Sequence, residues 1–200
     1  MHEAHSESDK DLVRQARAGS LVSFEALVSM YQDRIFNFLM KRNGNRHEAE
    51  DLLQDTFVRA FRNIDKFDEA YRFDAWLYTI AARLTINRRR NAGREAIAME
   101  PEKISEMSGG SLPVTDDAGN DLWAKVRSVL DSRQFTVVWL KYVEDMTSAE
   151  IADVMGVTGV NVRIILYRAH RKLQKVIERA DFTAASGERI FLMNKAVERI

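Results

Sequence analysis

The chain has 200 residues, and its 30 Lys and Arg balance 30 Asp and Glu, so the formal net charge is zero. It has no cysteine, which excludes a disulfide framework, a thiolate zinc site and a cysteine nucleophile. Only two prolines and nine glycines are present, which favours helices over a turn-rich β fold. No apolar run approaches ~18 residues, so we expect no membrane insertion and a cytoplasmic location.

The first half is helical by period. Residues 1–11 are polar and acidic, and we expect a disordered N-terminus there. Ser20 to Lys41 carries apolar side chains at i, i+3 and i+4 spacing, and Gly44 can end that helix with a positive φ. Arg46 to Asn63 repeats the pattern. Asp74 predicts an N-cap for a helix from Ala75 to about Asn91.

A change of composition predicts two domains. Residues 93–120 contain Ser-Gly-Gly-Ser, both prolines and several acids, which is typical of a flexible linker. We therefore predict an all-α fold with a helical domain at 12–92, a second at 121–180, and a tail helix at 181–200 with an apolar stripe.

The second domain contains the pattern of a helix-turn-helix. Thr147 and Glu150 form a predicted capping box, Gly156 supplies a turn, and a basic helix follows from Thr158 through Lys175. The spacing of Ala152 and Gly156 predicts a close crossing of two helices. Neither His47 nor His170 has metal-site spacing, and both are expected to be exposed.

Basic residues are segregated rather than in excess. Residues 75–94 hold five arginines and no acid, and residues 159–177 hold five basic residues and no acid. Phosphate neutralisation supplies most non-specific DNA affinity, so a chain of zero net charge should bind DNA weakly alone. An acidic helix around Glu48 to Asp55 suits a basic protein surface, and the arginine-rich helix end at Asn87 to Arg90 suits nucleic acid. Together they indicate a protein that connects a multisubunit complex with DNA.

Two segments carry a family resemblance. One reads AEDLLQDTF from Ala49 with FDAWLYTIA from Phe73; the other runs from Glu150-Ile151-Ala152 to Leu166-Tyr167-Arg168-Ala169 and ends in Arg171-Lys172-Leu173. From about Leu12 to Lys175 the chain resembles an extracytoplasmic-function sigma factor of bacterial RNA polymerase. The resemblance implies a factor that binds core polymerase, recognises the minus-thirty-five and minus-ten promoter elements and helps melt DNA.

The resemblance also implies residue roles. Core polymerase would be bound by Asp51, Leu52, Gln54, Asp55 and Phe57. The minus-ten element would be bound as a single strand, with one base flipped into a pocket, by Phe67, Tyr71, Arg72, Trp76, Arg83, Asn87, Arg88, Arg89 and Arg90. The minus-thirty-five element would be bound by Thr158, Asn161, Arg163, Tyr167, Arg168, Arg171 and Lys172. A separate anti-sigma factor is an expected partner.

Plainer interpretations stand beside these roles. Phe73 and Trp76 would simply be core residues, and the acidic face would simply be exposed to solvent. The arginine run would stabilise a helix C-terminus by complementing the helix dipole. Ile164 and Ile165 replace polar and basic residues of the family pattern. These side chains would contact thymine methyl groups or be buried by another surface such as the tail. They point about 100° apart on a helix, so at most one of them can face DNA directly.

Two other classes of function predict different features. A polymerase-independent helix-turn-helix regulator is the alternative, and it would bind a palindrome as a dimer. An enzyme would need a catalytic constellation, but the sequence has no phosphate loop and no His-Glu-x-x-His motif. We expect no enzymatic activity, no cofactor, no metal and no small-molecule substrate.

Overall fold

The computed structural model describes residues 2–98 and 118–181, with side chains described for 9–88 and 122–175. The chain divides into two compact units, with the boundary between Leu122 and Trp123. The described residues are helical and contain no strand, which confirms the predicted fold class. The elements are α1 (His2–Arg17), α2 (Leu21–Asn43), α3 (Arg46–Arg62), a 3₁₀ helix (Ile64–Lys66), α4 (Phe73–Ala98), α5 (Ala118–Val129), α6 (Ser132–Tyr142), α7 (Ser148–Met155) and α8 (Gly159–Asp181).

A two-residue corner joins α2 to α3. Gly44 ends α2 at φ 75°, and its N–H donates to the Met40 carbonyl. Asn45 then caps α3, because its side chain accepts from the Glu48 amide at 3.2 Å. Such a short connection makes the two helices packed neighbours. Both helices were predicted, and their observed ends differ from the predicted ones by only one or two residues.

The core of the first unit lies between α2, α3 and α4. Its fully buried side chains include Leu27, Ile35, Phe38, Leu39, Leu52, Leu77 and Tyr78. The Phe38 and Tyr78 rings meet edge to face at 5.3 Å. Full burial of an apolar side chain of this size contributes about 1.5–3 kcal/mol, so this interior holds α4 firmly on the other two helices.

The N-terminal expectation was wrong, because residues predicted to be disordered belong to α1, which begins at His2. Val13 is fully buried, and the Tyr31 hydroxyl of α2 donates to the buried Asp9 carboxylate. Burial and the Asp9 carboxylate raise the pKa of Tyr31 well above its ordinary value, so the hydroxyl keeps the proton that it donates. The polar, acidic composition concealed a helix that is anchored by one buried hydrogen bond and a short apolar stripe.

Helix α4 is longer than predicted at both ends. It begins at Phe73 rather than Ala75, and it continues through Gly93 to Ala98, into the predicted linker. Helix formers such as Glu95 and Ala96 outweigh the cost of about 1 kcal/mol for one interior glycine. Instead of serving as the N-cap, the Asp74 carboxylate accepts from the Arg34 and Arg72 guanidinium groups. The remainder of the predicted linker up to residue 117, and the tail helix beyond residue 181, lie outside the described residues.

The second unit has an aromatic core and well-capped helices. The Trp123 ring packs on Phe135 and Trp139 at 5.5 and 4.8 Å. Asp131 starts α6 with a capping box, in which Gln134 is the reciprocal partner. The buried Trp139 indole donates to Glu144 at 3.0 Å. Helix α6 thereby forms the platform on which α7 and α8 pack.

The predicted helix-turn-helix is present as α7 and α8. The Thr147 amide donates to Glu150 at 2.7 Å, and the Glu150 amide donates to the Thr147 hydroxyl at 3.3 Å, which confirms the capping box. Gly156 follows α7 with φ 63°. A Cβ there would meet no atom within 4 Å, so the predicted close crossing of two helices does not explain this glycine. Its role is to adopt the left-handed conformation of the turn.

The two histidines differ. His47 is exposed, as expected. His170 is half-buried, and its Nε2 lies 2.8 Å from the Tyr142 hydroxyl, which joins α8 to α6. Burial lowers the pKa of His170 from its ordinary value, so the neutral imidazole is favoured in the folded unit. The expectation of an exposed His170 was wrong because Tyr142 supplies a partner from a distant helix.

The anchoring of α1 predicts different effects for two nearby aspartates. Asp9→Ala should lower the free energy of unfolding by about 1–3 kcal/mol, because the buried Tyr31 hydroxyl loses its acceptor. Asp11→Ala removes an exposed carboxylate and should change it by less than about 0.5 kcal/mol. Urea denaturation of both variants measures the difference. Equal effects would show that α1 is not anchored through Asp9.

Candidate functional site

The exposed face of α3 contains three of the five side chains predicted to bind core polymerase. Asp51, Gln54 and Asp55 are exposed, but Leu52 and Phe57 are buried. Leu52 faces the interior in line with Ala49 and supports this face from within, so its contact with polymerase stays a prediction. Phe57 is buried too, although its ring forms part of a groove wall.

This groove runs between α2 and α3 and is mainly apolar. Its walls are formed by Leu21, Phe24, Glu25, Val28, Gln32, Glu50, Leu53, Gln54, Phe57, Val58, Phe61 and Arg62. Leu21, Val58 and Phe61 remain exposed, although Phe61 packs edge to face on Phe24 at 4.9 Å. The apolar period of Arg46 to Asn63 includes Phe61, and such a period predicts burial, so the sequence pattern missed this exposed surface. The groove therefore offers an apolar surface for a partner, beside Gln54 and the acidic face of α3.

Two arginines of α1 hold the loop between the 3₁₀ helix and α4. The Arg17 guanidinium donates to the carbonyls of Ile64, at 3.0 Å, and Phe67, and it also pairs with Glu69 at 2.8 Å. Arg14 pairs with the other Glu69 oxygen at 3.1 Å. Sequence reasoning missed Arg17 because these contacts join residues about fifty positions apart in a segment with no recognisable motif.

The loop separates its aromatic residues into buried and exposed ones. Phe67 is buried, with its ring 5.4 Å from Phe73 and 5.1 Å from Trp76. Phe67 therefore fills the space beneath the loop, and its contact with DNA stays a prediction. Tyr71 is half-exposed and Trp76 is partly exposed. Both rings are accessible to a partner, and Phe67 packs against Trp76 from the buried side.

The first unit also presents polar side chains along α4. Arg83 and Asn87 lie one helical turn apart and are exposed. Arg88 is exposed too and pairs with Asp51 of α3 at 3.1 Å, an interaction between two exposed side chains. Such pairs contribute at most about 1 kcal/mol, so either partner can exchange it for another contact. Arg72 pairs with Asp74 at 2.7 Å, and the side chains of Arg89 and Arg90 lie outside the described residues.

In the second unit, every side chain predicted to bind the minus-thirty-five element is exposed on or beside α8. Thr158 precedes the helix, and its hydroxyl accepts from the Asn161 amide at 3.3 Å. Arg171 lies over the Tyr167 ring, 6.0 Å from its centroid. Lys172 donates to Gln134 at 2.7 Å, which ties the middle of α8 to the start of α6.

The surface of α8 is basic, because no acid occurs from Gly159 to Lys175. Arg168, Arg171, Lys172 and Lys175 line one shallow depression together with Tyr167 and Gln134. Val162 and Ala169 are fully buried on the opposite side of the helix. A helix that presents cations outward, at the second position of a helix-turn-helix, has the form that enters a DNA major groove.

No cluster of three or more His, Cys, Asp or Glu side chains among the described residues could hold a metal ion. None of the helices in the described part of the chain combines the length and apolar character needed to cross a membrane.

Family comparisons agree with this division of the chain. The family model for Sigma-70 region 2 matches residues 27–95, and the model for Sigma-70 region 4 matches residues 128–173. The chain is 32% identical over 181 residues to the ECF RNA polymerase sigma factor SigW of Bacillus subtilis. That alignment covers 83% of this chain and 95% of SigW.

Solved structures show the same fold. CnrH, in complex with the cytosolic domain of CnrY, matches with a TM-score of 0.63 and 25% identity, over 86% of this chain and 98% of CnrH. The sigma factor RpoE of Bartonella quintana, in complex with the anti-sigma factor NepR, matches with a TM-score of 0.63 and 20% identity, over 78% of this chain and 96% of that one. Because SigW is matched over nearly its whole length and both sigma regions are present, the chain belongs to the extracytoplasmic-function family of RNA polymerase sigma factors, which initiate transcription with core polymerase.

Proposed function

We propose that the first domain, residues 12–92, binds core polymerase and the minus-ten element, and that the second, residues 121–180, binds the minus-thirty-five element. The observation that carries this division is the separation of surfaces. The first unit has an apolar groove beside acids and a loop with exposed rings. The second unit has an outward basic helix of helix-turn-helix form.

Core polymerase is proposed to dock on the groove between α2 and α3, with Gln54 and Asp55 at its edge. Apolar side chains such as Val58 and Phe61 would supply most of the buried area, as anchors do at protein interfaces. The exposed carboxylate of Asp55 would meet a basic surface of the partner and favour correct encounter. Asp51 would contribute once its pair with Arg88 has been exchanged.

The minus-ten strand is proposed to lie across the loop and the outer face of α4. Tyr71 and Trp76 would stack on unpaired bases, each worth about 1–3 kcal/mol, while flipping a base costs a few kcal/mol. Arg83, Asn87 and Arg88 would hold the phosphates, and we assign the same role to Arg89 and Arg90. Binding energy then opens the duplex without hydrolysis, so we propose no enzymatic activity and no cofactor.

A solved relative suggests an anti-sigma factor as a further partner, besides polymerase and promoter DNA. RpoE of Bartonella quintana is described in complex with an anti-sigma factor. We propose that a separate anti-sigma factor also restrains this chain. We propose further that this chain acts in the cytoplasm, where polymerase and promoters are found. Affinity purification from cells that recovers only polymerase subunits would count against a separate inhibitor.

Dependence on polymerase distinguishes this function from a free-standing regulator. The isolated chain should bind promoter duplex poorly at physiological salt, because its net charge is zero. Fluorescence anisotropy with and without core polymerase should show at least a roughly hundred-fold difference in apparent affinity, since contacts made by polymerase add to those of the chain. Tight, sequence-specific binding by the isolated chain, with no gain from core, would favour the regulator.

Docking on the groove predicts a charge-reversal phenotype. Asp55→Arg should weaken core polymerase binding by at least about ten-fold, because like charges placed at an interface cost several kcal/mol. Asp33→Arg is the matched control, since it makes the same charge change at an exposed position of α2 that does not line the groove. Co-elution with core measures both variants. Normal co-elution of a folded Asp55→Arg variant would contradict the assignment.

The arginine contacts of α1 predict a defect in promoter opening. Arg17→Ala should slow opening by about ten-fold, because the loop bearing Tyr71 loses hydrogen bonds from a charged donor, worth about 1.5–3 kcal/mol each. Arg14→Ala, which removes one exposed pair with Glu69, should have little effect. Permanganate reactivity of unpaired thymines follows opening by the holoenzyme.

The same variants separate positioning from general stability. Amide hydrogen exchange should accelerate across residues 64–72 in Arg17→Ala while α2 and α3 remain protected. Arg17→Lys should restore opening only in part, because a single ammonium cannot reproduce the guanidinium fork. Equal opening rates for Arg17→Ala and Arg14→Ala would contradict a positioning role.

A further inference from the structure

The outward side of α8 carries apolar side chains where a DNA-reading helix usually presents polar ones. Val160, Ile164 and Tyr167 are 63%, 41% and 62% exposed. Val160 and Ile164 each lie two positions from the fully buried Val162, which places both on the opposite side of a helix with 3.6 residues per turn. Ile165, the neighbouring isoleucine, is only partly exposed and turns towards the flank.

The surroundings of this face indicate what covers it. Arg163 and Arg168 are exposed on either side of Ile164, and α8 has no acid from Gly159 to Lys175. An apolar strip between cations is complementary to a surface that is anionic at its edges and has an apolar group within. The major groove of DNA has this arrangement, since phosphates border it and the thymine 5-methyl group projects into it.

We propose that Ile164, with Val160 one turn earlier, determines specificity by packing on thymine methyl groups of the upstream promoter element. This inference rests on the proposed entry of α8 into the major groove. Isoleucine has no hydrogen-bonding group, so guanine or cytosine at the same position would leave polar base atoms unpaired. Thymine alone offers it an apolar contact. The polar neighbours Asn161 and Arg163 would read or hold the flanking positions.

The test removes the methyl group from the DNA rather than from the protein. Holoenzyme first selects its preferred upstream sequences from promoter fragments that are randomised in that element. Each selected thymine is then replaced singly by deoxyuridine, which keeps base pairing and loses only the methyl group. At one or two adjacent thymines the wild-type holoenzyme should lose roughly three- to five-fold in affinity, the equivalent of one buried methyl group.

The protein variants complete a double-mutant cycle. Ile164→Ala should bind the thymine and uracil promoters equally well at that position, because the contact is already absent. Val143→Ala truncates an equally exposed apolar side chain, 45% exposed, outside α8 and should retain the uracil effect. Thermal melting of each variant checks its fold.

Three results would overturn the inference. The selected element could contain no thymine, uracil could be tolerated everywhere by the wild type, or the uracil effect could persist unchanged in Ile164→Ala. Tolerance of uracil would indicate that the apolar face of α8 docks a protein instead. Failure of the proposed function is distinguishable, because the holoenzyme would then enrich no upstream sequence at all.

Discussion

The packing of α2 against α3, set by the two-residue corner at Gly44 and Asn45, is the constraint on which the first unit depends. It creates the buried layer that holds α4, and it leaves the apolar groove open on its other side. Helix α1 docks on α2 and reaches the loop before α4 through Arg17. A partner seated in the groove would therefore contact the same helix pair that supports α1 and α4.

Charge segregation explains how a neutral chain can serve at a promoter. Cations occur without acids on α8 from Gly159 to Lys175 and on α4 from Ala75 to Arg94, and acids lie on the exposed face of α3. The local charge of each surface favours one kind of partner, but the net charge of zero supplies little general attraction for DNA. The Asp51–Arg88 pair illustrates this balance, because it joins a residue of the proposed polymerase face to one of the proposed DNA face. In the proposed function, polymerase would supply the remaining affinity for DNA.

Local signals in the sequence predicted the helices that depend on local chemistry. The caps at Gly44 and Thr147 are satisfied by residues within four positions, so short patterns were enough to find them. The same holds for the helix-turn-helix, whose turn needs a glycine with a positive φ. The α8 residues named from the family resemblance are all exposed, because most of them are polar or charged and such side chains are seldom buried.

Features that depend on distant partners were missed. The hydrogen bond from Tyr31 to Asp9 orders part of a segment whose composition suggested disorder. Phe67 was assigned to DNA because it lies in a loop, but Arg17 holds that loop down and Phe73 and Trp76 enclose the ring. Leu52 was carried over with its exposed neighbours although its helical position faces the core. Family patterns name a segment, whereas burial decides which of its side chains can reach a partner.

Mapping of transcript starts would show whether this chain directs core polymerase to promoters that share two sequence elements. Core polymerase reconstituted with the purified chain would transcribe the genomic DNA of the source organism in vitro, and the 5′ ends would be compared with those made by core alone. The account predicts new starts that share one element about ten and another about thirty-five base pairs upstream, a separation of more than two helical turns of DNA. No new starts, or starts without a shared upstream element, would contradict it.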